Sequence, residues 1–339
     1  MENPAVLGLI TIIIGVGGCL GYFYGANLLL DKVLFKPTGP NAGRNINRAN
    51  QIRPWLFMLP AILALGLYLA YPVFATLRLS FLERLPGNEY QFVGFENYTQ
   101  MFAEPKFIEA MKNNILWLIV VPAASTAFGL LAAQLTDRLA WGNIAKSIVF
   151  MPMAISFVGA AVIFKLVYEA RPEDVAQIGI LNHLYLLFGG DTPQQWLQIP
   201  FWNNFFLMIV LIWIQTGFAM VILSAALRGI PEETVEAAII DGANPFQIFF
   251  KIKVPQIMST IVVVWTTITI ATLKVFDIVF AMTNGQWDTS VLANLMYDWM
   301  FRGGGDYGRS STLAMVLMLA VIPVMAFNIR RFRAEEAQR

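Results

Sequence analysis

A phosphate-cradling loop of the form Gly-x-x-x-x-Gly-Lys-[Ser/Thr] requires a Gly-Lys step, and the sequence contains none, so the chain does not supply a nucleotide site of that kind. One cysteine, Cys19, and one histidine, His183, build neither an internal disulfide nor a zinc site. Two sets of hydrogen-bonding side chains inside apolar stretches remain. Trp213, Gln215, Thr216 and Phe218 cluster in one, and Thr266, Thr267, Thr269 and Thr272 in the other. Polar side chains beside aromatic ones inside a membrane are candidates for contact with a solute. Each threonine hydroxyl can equally bond a carbonyl of its own helix. Ser156 follows Pro152 by four residues, where the proline can free carbonyls, and is a further candidate.

Ionisable groups inside apolar stretches are functional suspects. Lys274 and Asp277 are three apart, which on one helix lets them pair on one face, as a structural pair or beside a solute path. Arg78 and Lys165 lie at the ends of apolar stretches, where long side chains snorkel.

Positioning these residues is the task of a very apolar chain. Of 339 residues, 57% are hydrophobic and 13% charged, about half the charged fraction of a soluble domain. The net charge of +1 is spread without a basic stripe, giving no footprint for nucleic acid. A crossing needs about 20 mostly apolar residues. Seven charge-free windows meet this need: Asn3–Leu30, Trp55–Leu77, Asn113–Thr136, Ser147–Phe164, Thr192–Leu227, Val254–Leu273 and Ser310–Ile329. One spanning helix is expected in each, with the start of the fifth, around Pro193 and Pro200, left as a loop. The leader carries Glu2 and no Lys or Arg, so the first window reads as a retained helix rather than a signal peptide.

Charge orients the bundle. Segments 31–54, 137–146, 228–256 and 330–339 hold 14 Lys and Arg, whereas loops 82–112, 169–191 and 282–309 hold 6. The excess places the first set in the cytoplasm, with the N-terminus outside and the C-terminus inside. The outer loops are long enough to cover helix ends or to dock an extracytoplasmic partner, and too short to be catalytic domains.

The inner segment from Arg228 to Ala243 is more structured than a connector requires. Pro231 suits a first helical position, Glu232 and Glu233 complement a helix N-terminus, and Gly242 can take the left-handed conformation that ends a helix. A second short helix, Pro245 to Lys253, is expected before Pro255 opens the next crossing. Ala237 and Ala238 allow close approach, and Glu236 and Asp241 can anchor the ends. Such a helix either docks another protein or lies on its own bundle.

Glu236-Ala237-Ala238, Gly242 six residues after the glutamate, and Ile252 with Pro255 resemble the EAA loop of binding-protein-dependent ABC importer permeases, of the MetI-like type. Val254-Pro255 stands where the family usually has Leu-Pro. Leu59-Pro60, Tyr71-Pro72, Val93 to Tyr98, Asn113-Asn114, Met151-Pro152 and Thr283-Asn284-Gly285 also look like the carbohydrate branch, nearest the maltose-permease type and its α-glucoside and glucosylglycerol permeases.

The resemblance implies an all-α integral membrane fold of about seven transmembrane helices. An extra N-terminal helix and basic linker (1–50) would precede a six-helix type I permease core (51–330), followed by a short charged tail (331–339). It implies that Glu236, Ala237, Ala238, Asp241, Gly242 and Phe249 couple to an ATPase subunit, and that Gln215, Phe218 and Thr272, with Thr216 and Ser156, face the sugar. No catalytic residue, metal or cofactor is expected on this chain; ATP and Mg would bind two partner ATPase subunits. A second homologous permease subunit, an extracytoplasmic sugar-binding protein and membrane lipid complete the expected partners, in a bacterial inner membrane. An ion-coupled secondary transporter is the alternative. It would need intramembrane carboxylates, and the seven windows contain no Asp or Glu, with Asp277 just beyond the sixth.

Overall fold

The computed structural model describes residues 4–336 except Pro86, Asn88, Arg138, Gly303 and Gly304, with the side chains of Pro4, Ala5, Asn328, Arg331, Phe332 and residues 334–336 left out. Glu2 of the leader, Asn3 of the first window, the charges of Arg138, Arg331 and Arg339, and much of the expected tail therefore lie outside the described residues. The chain divides into two compact units, Met1–Ala75 and Thr76–Arg339.

The first unit is a helical hairpin. α1 (Pro4–Leu28) runs on through a wide turn, Leu29–Leu34, and α2 (Ala42–Leu65) passes through a second, Gly66–Ala70, into the start of α3 (Tyr71–Leu79), within which the unit ends. Consecutive residues of α1 point in all directions, yet Ile12, Ile13 and Ile14 are 64%, 61% and 68% exposed. A helix apolar on every face and uncovered by protein has lipid as its solvent. The Tyr22 hydroxyl donates to the Leu56 carbonyl at 2.6 Å, Phe23 packs edge-on to Phe57, and Arg53 pairs with Asp31 at 2.6 Å, so polar contacts close the hairpin and aromatics fill it.

The second unit takes in the rest of α3 and a short antiparallel hairpin, β1 (Leu82–Arg84) and β2 (Tyr90–Phe92), and its remaining elements are helical. α4 (Glu96–Ala103) leads into α5 (Pro105–Thr136), whose Pro105 occupies the first turn, where its missing N–H costs nothing. Next come α6 (Gly142–Phe150), a tight turn at Met151–Ala154, α7 (Phe157–Val167) and α8 (Ile180–Leu187). The central helix α9 (Trp202–Arg228) follows. After it lie α10 (Glu232–Ile240), α11 (Pro245–Gln247), a wide turn Ile248–Lys253, α12 (Val254–Gln256) and α13 (Met258–Leu273). α14 (Asp277–Met282), α15 (Leu292–Tyr297) and α16 (Tyr307–Glu336) complete the chain.

α5 and α9 form the most extensive helix pair. Trp117 and Val121 of α5 and Leu207, Met208, Met220 and Leu223 of α9 are completely buried in the core between them.

Five helical stretches are long and apolar enough to cross a membrane among the described residues, and two bent pairs raise the number to seven. The fifth window behaves as expected, with residues before Trp202 forming a loop and a short turn at Trp196–Gln198. The fourth window does not hold one straight helix. Gly142–Ala154 and Phe157–Val167 meet at 103°, because Pro152 sits in the tight turn and Ser156 caps a new helix, accepting the Gly159 N–H at 3.1 Å. The sixth crossing bends by 72° between Pro245–Gln256 and Met258–Leu273.

Lys274 and Asp277 are not on one helix. α13 stops at Leu273, Asp277 opens α14, and no ion pair joins the two residues.

Candidate functional site

The segment after α9 is built by local chemistry. Pro231, with φ −57° and ψ 132°, is the cap of α10 rather than its first residue. At the other end Gly242 has φ 80°. Its N–H donates to the Ile239 carbonyl and that of Ala243 to the Ala238 carbonyl, both at 3.0 Å, the paired bonds of a left-handed helix stop. Asn244 and Gln247 then exchange side-chain and backbone hydrogen bonds at 2.9 Å, a reciprocal box that starts the next helix.

The result is a helical hairpin with a definite outer face. Ala238 turns inward and is buried, as is Ile248 of the following turn, with which α10 packs. Glu236, Ala237, Asp241 and Gly242 are exposed, and Phe249 is half-buried. Of the two alanines, then, only Ala237 offers a close approach from outside. Beside these polar residues stand Ile240 at 85% exposure, Phe246 at 77% and Phe250 at 61%. The sequence reading missed these three, although Phe246 and Phe250 are four apart and share a face of any helix there.

A second feature it missed anchors this segment. The carboxylate of Asp137, just beyond α5, accepts from Lys146 of α6, from Ser224 of α9 at 3.1 Å and from Arg228 at the end of α9 at 3.2 Å. Lys146 also donates to Ser224 at 2.6 Å. Burial pulls the Asp137 carboxyl upward, but hydrogen bonds from Lys146, Arg228 and Ser224 together hold it below the usual carboxylate range. A depressed folded-state value means stability that is present above the unfolded value and lost as pH falls through the folded one. Thermal melting of the purified chain should therefore fall on acidification below about pH 4. In Asp137→Asn that part of the acid limb should vanish, and the melting point at neutral pH should be lower; superimposable curves would refute the assignment.

The intramembrane candidates divide. Gln215 of α9 is 9% exposed and makes no hydrogen bond among the described residues, so its amide is available. Phe218, one turn further on, is half-buried against the core. Thr216 donates to the Ile212 carbonyl at 2.7 Å. Thr266, Thr267, Thr269 and Thr272 each donate to the carbonyl four residues back, at 2.8 Å. Thr272 is also fully buried, so in this conformation it serves its helix. Ser156 is spent on its cap. α9 and α13 pack together, which puts the Gln215 helix and the Thr272 helix side by side.

Residues 125–332 match the family model described as "Binding-protein-dependent transport system inner membrane component". The chain is 60% identical over 332 residues to the alpha-glucoside transport system permease protein AglF of Rhizobium meliloti, covering 97% of this chain and 98% of that one. It is 49% identical over 284 residues to the osmoprotective compounds uptake permease protein GgtC of Synechocystis, covering 84% and 100%. Among solved structures, a chain of a bacterial ABC transporter involved in the import of the acidic polysaccharide alginate superposes with a TM-score of 0.72 at 21% identity, over 86% of this chain and 98% of that one.

Proposed function

The chain belongs to the family of binding-protein-dependent transport system inner membrane components, and from that premise we propose that it is the permease for a neutral sugar of the α-glucoside class, driven by ATPase subunits on separate chains. The observation that carries the substrate class is the 60% identity to a named alpha-glucoside permease across 97% of the chain. Gln215 and Phe218 supply the amide and aromatic face that a sugar needs. Thr216, Thr272 and Ser156, whose hydroxyls are now engaged with the backbone, join them when the bundle rearranges.

Energy enters through α10. Glu236, Ala237, Asp241, Gly242 and Phe249, with Ala238 bracing the helix from behind, form the surface that meets the ATPase, and the exposed Ile240, Phe246 and Phe250 supply apolar contact area. ATP and Mg bind on that partner. A second permease subunit pairs with this chain, and an extracytoplasmic protein delivers the sugar. The basic segments lie in the cytoplasm, so that α10 faces the ATPase and the N-terminus is outside. Residues 1–50 then add one helix and a basic linker to a six-helix core at 51–330.

Proteoliposomes holding the assembled transporter test this. Uptake of radiolabelled maltose or sucrose should require ATP on the cytoplasmic face, and the purified chain alone should hydrolyse none. Uptake that persists without ATP and stops when the proton gradient is collapsed would favour the ion-coupled alternative, which the family relationship does not support.

A further inference from the structure

A cleft of about 630 Å³ lies at the α7, α9 and α14 ends remote from α10. α9 separates the two: the cleft is lined by Trp196 and Gln198 just before its first residue, and α10 begins just after its last. At 27 residues the helix is about 40 Å long. Tyr168, Trp196 and Trp287 give the cleft aromatic surface, and Gln198, Asn284 and Gln286 give it amides. Lys165 and Glu169 lie on its wall with opposite charges, so no net charge selects an ion.

The backbone carrying Trp287 is held in an uncommon conformation. Asn284, Trp287 and Asp288 have φ of 56°, 56° and 58°, a region that a bulky side chain enters rarely. Three asparagines from the α5 and α9 ends hold it there. Asn203 donates to the Trp287 carbonyl at 2.6 Å, Asn113 to those of Asp288 and Ser290 at 2.8 Å, and Asn204 to that of Asp288 at 3.4 Å. Asn203 and Asn204 are buried. Strain that is over-determined in this way, at a tryptophan 43% exposed that lines the cleft, points to a use for the ring.

A line of rings leads inward from the cleft. Trp196 meets Phe206 at 5.4 Å and Tyr168 meets the same ring at 5.3 Å. Phe164 touches Tyr168 at 5.7 Å and Trp213 of α9 at 5.3 Å.

We propose that this cleft is a second carbohydrate subsite, in which Trp287 is the platform on which an incoming sugar ring stacks before it enters the bundle. The idea rests on the sugar-permease reading and adds a station to it. Stacking of the C–H face of a pyranose on an indole needs no charge, and the neighbouring amides read hydroxyls.

Trp287→Gly removes the ring and also suits the left-handed backbone, so the variant should melt no lower than the wild type. In the assembled transporter with saturating binding protein, it should take up maltotriose about tenfold more slowly, as loss of an aromatic contact predicts. Maltose uptake should fall less, because a shorter chain spans fewer rings, and Trp287→Phe should keep most activity. A wild-type rate for the glycine variant, or an equal loss in the phenylalanine variant, would overturn the subsite. Maltotriose carrying a photoreactive diazirine should also label Trp287 or Trp196 in the unmutated transporter; labelling that misses both residues would overturn it without any variant. Failure of the wild type to take up any of these sugars would instead remove the sugar-permease reading itself.

Discussion

Gly242→Val should lower ATP-driven sugar uptake about thirtyfold or more while the chain stays folded, because displacing a central docking contact costs about 2 kcal/mol or more. An added Cβ at Gly242 meets nothing within 4 Å, so no clash occurs within the chain. The cost is in the backbone, where φ is 80° and an L residue pays about 1–2 kcal/mol. Relief comes from unwinding the last turn of α10, which breaks the 3.0 Å bonds from the Gly242 and Ala243 N–H groups and swings Ile240 and Asp241 away from their positions. That damage is local, and the melting temperature should move by only about 2–8 °C. Hydrolysis and uptake measured in the same proteoliposomes give the answer: hydrolysis should survive better than transport. Gly242→Asn should retain much of the uptake, since asparagine tolerates the left-handed region. A valine variant that imports sugar at the wild-type rate would show that this turn does not carry the work.

The contrast with the rest of the molecule shows what a sequence can reveal. α10 was legible to within a residue at its start and at its glycine stop, because proline, glutamates and glycine act on the backbone next to them. The self-bonding of the threonines was legible for the same reason. Apolar windows, by contrast, fix how much chain enters the bilayer and say nothing of its direction, so the 103° and 72° bends were invisible although Pro152 and Pro255 stood near them. The Lys274 and Asp277 pairing failed on the same ground, a helix assumed to continue past Leu273. Least legible were contacts between distant residues. Asn114 accepts the Leu292 N–H at 2.7 Å across a separation of 178 residues, and Asp137 gathers partners from α6 and α9. Nothing in a local pattern distinguishes these residues from ordinary polar ones.

Gly129→Leu is expected to prevent stable packing of α5 on α9. An ideal Cβ on residue 129 would overlap the Ala219 Cβ and lie 2.9 Å from the Met220 nitrogen and 3.0 Å from the Ala219 carbonyl carbon. Ala219 and Met220 are fully buried, and backbone cannot turn aside as a flexible side chain can. Even Gly129→Ala therefore forces α5 and α9 apart, at about 1–3 kcal/mol, and leucine adds three more carbons to a space that has none. Close backbone approach at small residues is how helices associate when lipid removes the hydrophobic drive. Little folded Gly129→Leu should be recovered from detergent, and Gly129→Ala should melt measurably lower than the wild type. Ala219→Gly combined with Gly129→Ala removes the nearest contact but leaves those at 2.9 and 3.0 Å, so the double variant should regain part of the loss, with a coupling energy of about 0.5 kcal/mol or more. Normal recovery of the leucine variant would mean that the two helices do not approach as closely as described. The same two helices carry Asn113 and Asn203 at one end and lead into Asp137 and Arg228 at the other. A change between them should therefore disturb the cleft and the α10 anchor together, whereas Gly242→Val stays within the last turn of α10.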